Sequence, residues 1–221
     1  MAKTILNVNN LEFRYRSEGD KFLLEIPNFS LMPGERTAIL GKSGSGKTTF
    51  LKICAMLERN FTGRVSLFDC DLRENPHHSK ALIKRTAFLF QESIKFSGNV
   101  FFNAAVGLQI RNETQKEISR KVGNLLEILK ISEHSHKNIN EISSGQLRRV
   151  CLARALVLQP EILFLDEPFY SLDQLTKNDI LKDINEYIRK INCAVMLVTH
   201  DPDEAAALCE KTVTINCGKI K

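Results

Sequence analysis

No stretch of this sequence approaches the roughly 20 consecutive apolar residues that a membrane-spanning helix needs. The opening segment, Met1 to Arg16, is broken by Lys3, Asn7, Asn9, Asn10, Glu12 and Arg14, so it lacks the continuous apolar core of a secretory signal. Any membrane role is therefore expected to be peripheral. The six cysteines (54, 70, 151, 193, 209 and 217) include no C-x-x-C pair, and at least three sit in apolar stretches as small hydrophobes do. They read as reduced thiols of a cytosolic protein. Internal repeats, low-complexity tracts and long linkers are missing, which argues against a divided chain. Charge of one sign is not concentrated either: 31 Lys plus Arg against 26 Asp plus Glu leave a scattered net +5. Such a balance permits an anionic partner without specifying one. What is present is 43% hydrophobic residues in a chain of 221. That excludes disorder and collagen-like folds and, at roughly 100–200 residues per domain, allows one compact domain with room for an inserted lobe.

Residues 4 to 15 tend to alternate apolar with polar, predicting a strand with one wet face. Ser17 to Lys21 and Pro33-Gly34-Glu35 read as turns. The short apolar strand Thr37-Ala38-Ile39-Leu40 then runs into a glycine-rich loop, after which a helix is expected to bury Phe50, Leu51, Cys54 and Leu57. Thr114-Gln115-Lys116-Glu117 fits a capping box, and Ile118, Val122, Leu125, Leu126 and Leu129 follow at helical spacing. Two further apolar runs, 162–165 and 194–198, end in acidic or histidine residues, as buried parallel strands do when their carboxyl ends line a site. The order of elements is α/β.

Gly41-Lys42-Ser43-Gly44-Ser45-Gly46-Lys47-Thr48 matches G-x-x-x-x-G-K-[ST] in full, between a strand and a helix where the mechanism requires it. Glycines let successive backbone N–H groups curl toward phosphate oxygens, and the helix N-terminus adds partial positive charge. Lys47 is then expected to reach the β- and γ-phosphates, and the Thr48 hydroxyl, followed by Thr49 at the same helix start, to ligate Mg²⁺. Asp166-Glu167, after an apolar strand, is where a Mg²⁺-associated Asp and a water-orienting Glu belong in a phosphate-binding sheet. His77-His78 and His134-Ser135-His136 lie in polar stretches without the spacing of a closed metal site, and are expected in solvated loops.

With Gln91 in Phe90-Gln91-Glu92, Ile142-Ser143-Ser144-Gly145-Gln146, Asp166-Glu167-Pro168, Ser171-Leu172-Asp173 and Thr199-His200-Asp201 in this order, the chain resembles the nucleotide-binding subunit of an ABC transporter from about Leu11 to Ile220. The resemblance implies a P-loop NTPase core with a mixed, mainly parallel sheet, an antiparallel β region from the N-terminal strands and Gly63 to Phe68, and an inserted helical part. It predicts one domain, with a core lobe of about 1–91 and 156–221 and a helical insertion of about 92–155.

ATP and Mg²⁺ are the implied ligands. Gly41, Ser43, Gly44, Ser45, Gly46, Lys47, Thr48 and Thr49 would hold phosphate, and Thr48, Gln91 and Asp166 the metal and its water. Glu167 would orient the attacking water and His200 contact the γ-phosphate. Tyr15 would stack on adenine, with Phe13 the competing candidate. Ser143, a helix N-cap, would join Gly145 and Gln146 in capping the ATP held by an opposite subunit, with Asp173 near that interface. The implied partners are transmembrane permease subunits, a second copy or close relative in a head-to-tail dimer, and an extracytoplasmic solute-binding protein, with no nucleic acid. The implied location is cytoplasmic, on the inner face of the membrane.

One departure stands out: Ser144 replaces the glycine of the family's usual Leu-Ser-Gly-Gly-Gln, and its side chain could crowd the approach to phosphate. An active site is still expected. Glu167-Pro168-Phe169 and the run from Thr199 to Ala205 resemble importer subunits. Residues Gln91 to Asn103 mix an exporter-like Phe-Ser-Gly with a similarity to tungstate and molybdate importers. DNA-repair ATPases insert long coiled coils, for which the 51 residues between Gln91 and Ser143 leave no sustained heptads. Soluble relatives in iron–sulfur assembly, lipoprotein release or cell division share the same chemistry. The run Val213 to Ile220 resembles the family's last hairpin, and no C-terminal regulatory domain is expected.

Overall fold

The computed structural model describes residues 3–14, 23–71 and 79–221. Tyr15, the turn expected at Ser17 to Lys21 and the pair His77-His78 lie outside them. The described residues form a ten-stranded sheet in the order β5-β4-β1-β2-β10-β9-β3-β8-β7-β6. One part is antiparallel: β1 (Leu6–Arg14) between β2 (Leu23–Leu31) and β4 (Thr62–Leu67), with β5 (Cys70–Asp71) at the edge. The other is parallel: β3 (Arg36–Leu40) lies between β9 (Lys211–Asn216) and β8 (Ala194–Val198), followed by β7 (Ile162–Asp166) and β6 (Thr86–Leu89). The hairpin β9-β10 (β10, Lys219–Ile220) joins the two by pairing β10 parallel to β2.

The alternation of β1 changes phase midway. Leu6 and Val8 are buried, then Leu11 and Phe13, because a bulge between Asn9 and Glu12 inserts a residue. Asn10 takes the left-handed conformation there, which asparagine tolerates, with φ 50. Gly63 opposite has no room for a side chain, since a Cβ would lie 2.0 Å from the Asn10 carbonyl oxygen. The bulge leaves Phe13 at 3% exposure, so it is a core residue and not an adenine platform.

The parallel strands are covered on both faces, and their alternate residues feed two cores. Ile162, Phe164, Met196 and Val198 join Phe50, Leu51, Ile53 and Cys54 of α1 (Lys47–Cys54) and the antiparallel strands. Leu163, Leu165, Val195 and Leu197 face the core shared with α3 (Val100–Ile110), α4 (Gln115–Ile128), α5 (Ser144–Leu156) and α6 (Gln174–Lys190). Two short helices, α2 (Ser79–Arg85) and α7 (Pro202–Leu208), complete the described helices beside a 3₁₀ turn at Ser132–His134.

Two local expectations need correction. Leu57 is 50% exposed because α1 stops at Cys54, Met56 turns left-handed with φ 65, and the Leu57 N–H bonds back to Lys52 O at 2.8 Å. The capping box of α4 is half made. Thr114 accepts from the Glu117 N–H at 3.3 Å, but the Glu117 carboxylate accepts from Arg120. Ile118, Val122, Leu125, Leu126 and Leu129 are buried as the helical spacing requires.

Candidate active site

Strands β3, β8, β7 and β6 are sheet neighbours running the same way, so their carboxyl ends open on one edge. After them come the glycine loop, Thr199-His200, Asp166-Glu167 and Gln91 in turn. They meet round a cleft of about 350 Å³ walled by Ser43, Gly44, Gly46, Lys47, Thr48, Thr49, Gln91, Glu167, Tyr170 and His200. Gly41 and Ser45 form the inner side of the loop. Gly41, at φ 149, passes so close to β9 that a Cβ would lie 2.2 Å from Ile215 O, and the Ser45 hydroxyl is buried without a partner. Gly46 caps α1 in a left-handed conformation with no side chain bonded to the helix's first N–H groups, which leaves that end open to an anion.

Lys47 folds back on its own loop, donating to Gly41 O at 2.8 Å and Lys42 O at 3.0 Å. Burial pushes its ammonium below the ordinary value, opposed by Glu167 and Asp166. The Thr48 hydroxyl donates to Asp166 Oδ1 at 3.0 Å. Burial raises the Asp166 carboxyl above its usual range, against that bond from Thr48. His200 Nδ1 lies 2.9 Å from Glu167 Oε2, the imidazole exposed and the carboxylate largely covered. Thr199 and Asp201, which flank His200, are both tied down. Asp201 caps α7 and accepts from Lys177 of α6 at 2.5 Å, while Thr199 donates to Glu204 at 2.7 Å.

Ser143, Gly145, Gln146 and Asp173 are not walls of this cleft. Ser143 caps α5 in a complete box: its hydroxyl accepts from the Gln146 N–H at 3.2 Å, and Gln146 Oε1 accepts from the Ser143 N–H at 2.8 Å. Gly145 packs on the chain after β7, where a Cβ would come within 3.0 Å of Ser171 O. Ser144 is exposed. Asp173 caps α6 by accepting from the Thr176 N–H at 2.9 Å.

Three residues escaped sequence reasoning. His134 is not in a solvated loop: its Nε2 lies 2.6 Å from Gln146 Nε2, behind the turn of Ile142 to Gln146, the signature segment. Gln146 Oε1 already serves Ser143, so it is the amide nitrogen that faces the imidazole. Lys177 gave no signal beyond a charge at a core-facing position of α6. Arg148 sits in a helix buried nearly all round, where no wet face exists to make an inward charge conspicuous.

Comparison with known proteins decides the kinship, since the profile described as ABC transporter matches residues 24–170. The chain belongs to the ABC transporter family. Among curated relatives, the sulfate/thiosulfate import ATP-binding protein CysA of Mycolicibacterium paratuberculosis is 35% identical over 94% of this chain and 56% of its own length. The spermidine/putrescine import ATP-binding protein PotA of Borrelia garinii subsp. bavariensis is 32% identical over 100% of this chain and 62% of its own. The chain thus spans somewhat over half the length of these curated relatives. Among solved structures, cbiO1 of Clostridium perfringens, part of the ABC transporter complex cbiONQ, superposes with a TM-score of 0.85 at 28% identity, covering 99% of this chain and 87% of that one. The ATP-binding cassette MJ0796, a dimer in a post-hydrolysis state with ADP and Pi, superposes with a TM-score of 0.87 over 98% and 96%, and at 22% identity it speaks to the ABC fold alone. No helix of the described residues is long and apolar enough to cross a membrane.

Proposed function

We propose that this chain binds and hydrolyses ATP to drive import of a small solute through a membrane permease. The observation that carries the reading is the meeting of Lys47, Thr48, Gln91, Glu167 and His200 round one cleft at the carboxyl ends of four adjacent parallel strands. The open N-terminus of α1 and the glycine loop suit the phosphates, and Lys47 is poised to exchange its two loop carbonyls for β- and γ-phosphate oxygens. Thr48 and Asp166 offer adjacent hard oxygen donors, one a carboxylate whose buried charge a cation would relieve, and this set fits Mg²⁺ with Gln91 beside it. When bound there, Mg²⁺ neutralises charge developing on the transferred phosphoryl group.

Glu167 orients water for in-line attack on the γ-phosphate. Its partner His200 holds that carboxylate until the imidazole turns to the phosphate. Tyr15 remains the residue assigned to adenine. Ser143, Gly145 and Gln146 stand apart from the cleft of their own chain, which supports a head-to-tail dimer in which they and Asp173 close over the partner's ATP. A permease partner and a place on the inner face of the membrane follow from the importer reading, as does a solute-binding protein. The oxyanion reading, tungstate or molybdate, finds company in a relative named for sulfate and thiosulfate. A relative of similar identity is named for polyamines, so solute choice belongs to the permease. The single-domain reading, with core lobe 1–91 and 156–221 and insertion 92–155, is supported by helices α3 to α5 packing together.

The test is Glu167→Gln. Mg-ATP should still bind, hydrolysis should fall on the order of a hundredfold or more, and an ATP-bound dimer should accumulate in size-exclusion chromatography. Unchanged turnover would remove Glu167 from its role, and a wild-type protein that neither binds nor splits ATP with its permease would remove the reading.

A further inference from the structure

Arg148 is 1% exposed, and its guanidinium uses all five N–H donors on main-chain oxygens. Nε donates to Pro168 O at 2.9 Å, Nη1 to Phe90 O at 2.5 Å and Gln91 O at 3.1 Å, and Nη2 to Asp166 O and Glu167 O at 2.7 Å each. No carboxylate of the described residues pairs with it. Its direct partners are all carbonyl oxygens, with the Asp166, Glu167 and Glu204 carboxylates attracting it without a direct bond, and the five oxygens belong to just two segments: the end of β6 with Gln91, and the end of β7 with Glu167 and Pro168. Glu167 stands at φ 47, unfavourable for a side chain of its size, and is pinned from both sides, its N–H by Val198 O at 2.9 Å and its carbonyl by Arg148.

Arg148 itself comes from neither segment. It rides on α5, less than two helical turns after Ser143. Because the helix is rigid over that span, any tilt of its signature end displaces the guanidinium, and the fork pulls on both segments together. We propose that Arg148 is the positioning residue that couples the signature end of α5 to Gln91 and Glu167, so that seating of the signature sets the attacking geometry. The inference rests on the ATPase reading above. Lysine cannot substitute fully, since it offers a point charge with three donors in place of a planar fork with five.

The test uses the purified chain with its permease and three variants, Arg148→Lys, Arg148→Gln and Arg148→Met, each checked for the native circular-dichroism spectrum. In the folded variants kcat should fall at least tenfold for Arg148→Gln and Arg148→Met while the Kd for Mg-ATP stays within threefold, and Arg148→Lys should recover part of the loss. Hydrogen exchange without nucleotide should quicken around residues 88–93 and 166–170 and not around 41–49. Turnover within twofold of wild type in folded Arg148→Gln overturns the inference. So does a loss of ATP affinity matching the loss of kcat, which marks general damage to the fold. If Arg148→Met does not fold, Arg148→Lys decides by the same measures. A wild type without hydrolysis sinks the ATPase reading and the coupling with it, whereas the exchange pattern still reports on the clamp alone.

Discussion

Replacing Lys177 by methionine removes one ammonium from a nearly closed polar cluster and leaves the stem's volume in place. Lys177 is 8% exposed and donates to Asp201 at 2.5 Å and to Glu204 at 3.4 Å, and Glu204 is 5% exposed. Breaking a buried ion pair by deleting one partner costs about 3–5 kcal/mol. Asp201 is partly wet and keeps its bonds to the first N–H groups of α7, and Glu204 can escape by taking a proton, so about 2–4 kcal/mol is expected at pH 8. For a chain of this length that is a fall in Tm of about 4–16 °C.

The pH dependence has a definite sign. Burial already raises the Glu204 carboxyl, opposed by the Thr199 bond and by Lys177, and without the lysine it rises further. An acid raised in the folded state carries its full penalty above its folded pKa; below that the penalty falls with pH and is gone only under the unfolded carboxylate value of about 4.3, so the deficit of Lys177→Met should shrink between pH 8 and pH 5 without vanishing. Asp201 behaves oppositely. The bond from Lys177 holds it low, and in the wild type its contribution is present above the ordinary carboxylate value of about 4 and fades only as pH falls below it. Urea denaturation at pH 5, 6, 7 and 8 measures the deficit, and Lys177→Met/Glu204→Gln should recover more than half of it at pH 8. A deficit under 1 kcal/mol, or one equal at all four pH values, refutes the account.

Ser144 is exposed at the start of α5, so Ser144→Gly should change ATP turnover less than threefold; a gain of orders of magnitude in the steady-state rate would refute this. Cys217 is exposed, whereas Cys193 is buried and its thiol is pushed up to about 12 by burial. Iodoacetamide at pH 8 should therefore label Cys217 in the native protein and Cys193 only after unfolding, as read by peptide mass spectrometry. Equal rates at the two sites would contradict the packing described.

Much of this molecule was legible in the chain. The strand, glycine loop and helix of 36–54 were legible from the motif's spacing, and the apolar runs 162–165 and 194–198 declared strands because both their faces are covered. The five-residue stripe of α4 did so through its 3.6 period. Local patterns failed where a neighbour decided the outcome. Leu57 was expected inside because the helix was carried past Cys54. Phe13 could not be separated from Tyr15 until the bulge at Asn10 placed it inward. His134 looked like a loop histidine because nothing local announced that a glutamine twelve residues on would claim its ring.

Motif and spacing alone thus determined which residue types are offered together: a glycine loop with a lysine and a hydroxyl, a pair of acids and a histidine, each following an apolar strand. Only the folded arrangement decided which of them share a cleft, because strand order is set by pairing between segments more than a hundred residues apart, as β3 with β8. The same holds for the inward charges. Arg148 and Lys177 are unremarkable charges when read along the chain, and become structural only when carbonyls at the ends of β6 and β7 close round the one and carboxylates of α7 and its cap close round the other.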